Sequence, residues 1–124
     1  MRLNLPPRPL RHDIVEQLHD AYAEPRLTDI RAALALLAKH YDLPAPRVTW
    51  LKDRQRRDRY GDTRPCGTVA LMRPVQWRRQ RKPGALVDER SWVTTALHEA
   101  YHYLWWVQDE RKADAFAAAM VEGL

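Results

Sequence analysis

Two histidines flank a glutamate in the stretch His98-Glu99-Ala100-Tyr101-His102. On a helix, four residues rise about 6 Å and turn to within about 40° of the starting direction, so both imidazoles can reach one ion from one face. Glu99 lies on the flank of that face. From there it can take a proton from an attacking water and return it to a leaving amine, while a zinc ion polarises the scissile carbonyl. A hydrolytic zinc usually takes three protein ligands and leaves a position for water, so the pattern needs a third donor. Asp109, Glu110 and Asp114 all follow within twelve residues of His102.

These side chains meet only if the surrounding elements bring them together. Val93, Leu97, Ala100 and Leu104 form an apolar stripe at helical spacing, and Asp88 or Ser91 can cap the helix that carries it. With Val93 at 0°, His98 and His102 fall near 140° and 180°, off that stripe. Continued unbroken to Glu110, the helix would put its Cα about 12 Å beyond His102 and about 80° around the axis. The chain must therefore reverse between about Val107 and Asp109. Neither glycine nor proline is there to force the turn; Gln108 and Asp109 only tolerate one. A last helix follows from about Asp109 to Val121, with Ala113, Phe116, Ala117 and Met120 repeating.

Upstream, Pro6, Pro7 and Pro9 predict an extended segment over residues 1–12. A helix begins near Asp13, carries Ile14, Leu18 and Tyr22 on one stripe and stops before Pro25. Thr28 is the expected N-cap of a second helix with Ile30, Leu34, Leu37 and Tyr41, ended by Lys39, His40 and the prolines at 44 and 46. Residues 47–52 predict a short strand with Val48 and Trp50 on one face; 53–66 a charged loop; 68–72 a second strand limited by Pro74; and 78–84 a loop. The expected fold is one small α+β domain over 1–124: N-terminal helices, a short β-sheet, an active-site helix and a C-terminal helix.

His98-Glu99-x-x-His102 followed by Glu110-Arg-Lys-Ala-Asp-Ala-Phe-Ala117 resembles the paired H-E-x-x-H and E-x-x-A-N/D-x-F-A motifs of small zincin-like metallopeptidases of the ImmA/IrrE type. The match covers roughly the last 35 residues, and the preceding helix and strand order is similar to a minimal zincin scaffold. The resemblance implies zinc held by His98, His102 and Glu110, with Glu99 as general base; of the two kinds of peptidase, an endopeptidase is expected ahead of an exopeptidase. Asp114, one turn beyond Glu110, is then better placed to hold a ligand histidine through its second ring nitrogen than to bind metal. Asp109 is the next candidate should Glu110 not reach. The layout is also similar to SprT-like proteases that act on DNA-bound proteins, but a third histidine completes that site and none follows His102.

Charge is unevenly spread over the 124 residues, whose net charge is +5. Residues 47–82 carry twelve basic and three acidic side chains, +9, against three and seven, −4, in residues 83–124. Arg54, Arg56, Arg57 and Arg59, then Arg78, Arg79, Arg81 and Lys82, can be a nucleic-acid surface or plain solvated charge. Two rivals to a peptidase follow: a catalytically silent zincin-like module, such as a phage or mobile-element protein gripping a host protein or DNA, and a basic nucleic-acid-binding domain without metal. No apolar run is long enough to span a bilayer, and the start, MRLNLPPRPLRH, has no apolar signal core. With one cysteine, Cys66, no internal disulfide can form, and the expected compartment is the cytoplasm.

Several further residues have two readings. The 68–72 strand can be a sheet edge along which a peptide adds or a covered core strand. Cys66 can approach the metal or be inert. Tyr60, Tyr101 and Tyr103 can donate to an oxyanion or pack, and Trp92, Trp105 and Trp106 can stack on bases or pack, with packing favoured for each.

Overall fold

A computed structural model describes residues 4–51, 61–79, 88–106 and 108–124. Two helices open the chain, α1 (Arg8–Ala23) and α2 (Leu27–His40). α1 starts earlier than an extended residue 1–12 segment allows. Pro7 takes an extended N-cap conformation and Pro9 sits in the first helical turn, where its missing N–H would have had no intrahelical partner anyway. Proline reads as a breaker only inside a helix. Likewise α2 begins one residue before Thr28: Arg26 is its N-cap, without a side-chain hydrogen bond, and Thr28 lies in the first turn. The two helices bury Ile14, Leu18 and Ala21 together with Ile30, Ala33, Leu34 and Leu37.

Among the described residues the sheet has three strands, β1 (Arg47–Trp50), β2 (Gly61–Thr63) and β3 (Thr68–Leu71), in the order β1-β3-β2. β3 runs parallel to β1, with Val48 opposite Val69, and antiparallel to β2, with Thr63 opposite Val69. It is thus the central strand, which removes the sheet-edge role considered for residues 68–72; the sheet's outer strands are β1 and β2. Burial agrees, since Val69, Ala70 and Leu71 are covered on both faces. β2 falls in what the sequence predicts as loop. Its hairpin to β3 turns through Arg64–Gly67, with Pro65 at the second turn position, Gly67 at φ 87° and Arg64 N–H donating to the Thr68 carbonyl at 2.8 Å.

A short helix, α3 (Pro74–Arg78), follows, then α4 (Glu89–Trp105) and α5 (Glu110–Val121). Arg78 is held locally: it donates to the Tyr22 carbonyl and lies 4.4 Å over the Tyr22 ring. Arg54, Arg56, Arg57, Arg59, Arg81, Lys82 and Tyr60 lie outside the described residues. α4 is the hub. It is buried on nearly all sides, and Trp92 in its second turn donates its indole N–H to the Met72 carbonyl at 2.9 Å, tying helix to sheet. Buried apolar residues of the helices and the sheet form one continuous cluster. No described helix is long and apolar enough to cross a membrane.

Candidate metal centre

Asp88 caps α4, its carboxylate accepting from the Ser91 N–H at 2.8 Å. Further along, the helix presents Glu99 and His102 to the interior. Glu99 is 8% exposed and His102 5%; among the described residues they are the buried charged or polar side chains outside the apolar and aromatic set. Burying such groups is costly unless they are paired or hold an ion, so this stretch of α4 is a candidate site.

α4 ends where the chain has to turn. Trp106 adopts the left-handed conformation, φ 53°, and its N–H donates to the His102 carbonyl at 2.9 Å. A non-glycine residue there costs on the order of 1 kcal/mol. Packing on both sides of the turn offsets it: Trp105 sets its ring edge-on against Tyr41 and Phe116, and Trp106 meets Tyr103. Asp109 then caps α5, accepting from the Lys112 N–H at 3.1 Å, and so is occupied with the backbone. α5 lies back along α4, and Glu110 in its first turn faces the two histidines.

Three groups able to ligate a metal converge. His98 Nε2 and His102 Nε2 are 3.1 Å apart, Glu110 Oε2 is 2.7 Å from the first and Oε1 3.1 Å from the second. One ligand atom from each of the three residues fits within 4.8 Å of the others. Donors around a tetrahedral zinc, each about 2.0–2.1 Å from it, are about 3.3 Å apart, so the spacing suits such an ion. Donor chemistry points the same way. Asp114 Oδ1 is 2.7 Å from His98 Nδ1 and, as a carboxylate, accepts that nitrogen's proton. With that proton on Nδ1, His98 Nε2 faces a Glu110 carboxylate oxygen at 2.7 Å, a contact that either a second ring proton or a bound cation would satisfy. Zinc would satisfy all three groups together.

Glu99 stands beside this cluster, its Oε2 3.9 Å from His98 Nε2. Burial pushes its carboxyl pKa up, opposed by the hydrogen bond from Thr63 and by the two histidines. The cluster opens into a cleft of about 710 Å³ between α4, α5 and β2, lined among others by Asp62, Thr94, Thr95 and Gln108. Glu110, with its side chain 65% exposed, forms the solvent side.

The structure therefore brings His98, Glu99, His102, Glu110 and Asp114 together and leaves Asp109 as a cap. The other candidates lie elsewhere. Cys66 is exposed in the β2–β3 turn, its thiol 3.3 Å from the Thr68 hydroxyl, which holds the thiol pKa down. Tyr103 donates its hydroxyl to the Pro44 carbonyl, and Tyr101 packs between Trp105 and Phe116. Trp92 is buried, while Trp106 is 56% exposed. Sequence reasoning missed Gly61 and Thr63, which face Glu99 from β2; the Pro65–Gly67 turn before a strand is the signal that a hairpin partner exists. No protein-family model, curated protein or solved structure matches the chain.

Proposed function

We propose that this chain is a zinc-dependent peptidase of the zincin-like kind, acting in the cytoplasm on a protein or peptide substrate. The observation that carries the reading is the convergence of His98, His102 and Glu110 with buried Glu99 at their flank. Zinc, when bound, supplies Lewis acidity toward a peptide carbonyl and toward water. The chain's own residues do the rest. His98 and His102 fix the site on one rigid helix, Asp114 orients the His98 ring and keeps its proton on Nδ1, and Glu110 closes the set from α5. Glu99 takes a proton from the attacking water and delivers it to the departing amide nitrogen, so that the amine leaves neutral. Its burial raises the basicity of the carboxylate, the direction a general base needs.

Glu99→Gln is the direct test. The amide keeps shape and polarity but cannot take the proton, so the variant should hold zinc like the parent and cleave peptides of a fluorogenic library at least 100-fold more slowly, the order expected for losing a general base. Parental rates in that variant would refute the assignment.

A further inference from the structure

Zinc ligation does not account for the orientation of Glu99. A glutamate side chain has three rotatable torsions, and proton transfer requires one of its oxygens to be held at a fixed distance from the reacting water. His98 does not supply that hold, since its Nε2 lies 3.9 Å from Glu99 Oε2, beyond hydrogen-bond reach. β2 does. Thr63 Oγ1 lies 2.9 Å from Glu99 Oε1 and 2.7 Å from the Glu99 main-chain carbonyl, so its hydroxyl proton is shared between the two. Residues 61 and 63 point to the same face of the strand, and Gly61 closes the other side: a Cβ placed there would stand 2.7 Å from Glu99 Cγ and 3.3 Å from Oε2.

We propose that Thr63 is a positioning residue for the hydrolysis, fixing Glu99 Oε1 so that Oε2 is the oxygen that carries the proton; this rests on the peptidase reading above. Oε1 remains an acceptor whether or not Oε2 is protonated, so the tether survives both the arrival and the departure of the proton. The bond to the Glu99 carbonyl anchors the hydroxyl to α4 itself, so the carboxylate is referenced to the helix that carries His98 and His102. Without the hydroxyl, the carboxylate would be free to swing toward the two imidazoles.

The test compares the zinc-loaded full chain with Thr63→Val, Thr63→Ser and Thr63→Ala, on a library peptide that the parent cleaves. Thr63→Val should lose roughly 10- to 100-fold in kcat, the scale of a misplacement of about 1 Å, with KM and zinc content as in the parent. Thr63→Ser restores the hydroxyl and should recover most of the rate. Ser and Ala differ by that oxygen alone, so the pair gives the same comparison should the valine variant fail to fold. Crystal structures of the zinc-loaded proteins supply a readout independent of turnover: the Glu99 carboxylate turns away from β2 in Val or Ala and keeps its parental position in Ser. Equal rates in Ser and Ala, or an unmoved carboxylate, would overturn the role of Thr63 while leaving the peptidase reading intact. A zinc-loaded parent that cleaves no peptide would overturn the peptidase reading and this role with it.

Discussion

Glu99 is buried with a single side-chain hydrogen bond to a hydroxyl and with backbone on its far side, an environment that constrains a carboxylate more by shape than by charge. Gly61 is the clearest instance. Its backbone does not need a positive φ, so alanine is conformationally acceptable; what glycine provides is room for Glu99. Gly61→Ala must push the glutamate aside, because the contact is with its mid-chain carbon and not with a flexible tip. We expect the variant to fold and bind zinc but to lose about 100-fold in kcat, the cost of displacing a base by about 1 Å. Parallel zinc titrations and peptide assays read this; an unchanged kcat would show that the Glu99 position is not critical.

At the scale of elements, the sequence makes α4 and α5 legible because each carries its own apolar stripe and α4 follows a capping aspartate; the cap at Asp109 emerges only in the structure. The turn between them is legible only by inference: two histidines demand a third donor, and nothing local at Trp106 announces a left-handed residue. β2 is the opposite case. Gly-Asp-Thr has little strand propensity, and it is a strand because β3 offers a pairing edge and α4 a surface. A contact across 36 residues, as between Thr63 and Glu99, leaves no periodic trace. α1 errs in the other direction, since prolines at a helix start look like the breakers they would be one turn later. The division of labour between neighbouring acids at the start of α5 can be checked. Asp109→Ala should cost ~1 kcal/mol in denaturant unfolding through the lost cap and reduce zinc affinity less than Glu110→Gln does. Should Asp109→Ala abolish zinc binding as fully as Glu110→Gln, Asp109 would be the ligand.

For the molecule as a whole, α4 joins the fold to the candidate site: one flank is packed into the core and another lines the cleft. The charge pattern poses a separate question. A binding role for the +9 segment predicts that affinity for duplex DNA falls steeply with added salt, and that joint replacement of Arg54, Arg56, Arg57 and Arg59 by alanine weakens binding and flattens that dependence. No binding even at low salt would leave these arginines as solvated charge. The silent-module and metal-free rivals separate from the peptidase on activity and on metal content respectively, and metal content is the more fundamental. The decisive measurement is therefore the metal content of the full chain purified without a histidine tag, before and after reconstitution with zinc. About one equivalent of zinc per chain is predicted, lost on His98→Ala or His102→Ala and retained in Glu99→Gln. Less than about half an equivalent of any transition metal, with no uptake on reconstitution, would contradict the account at its centre.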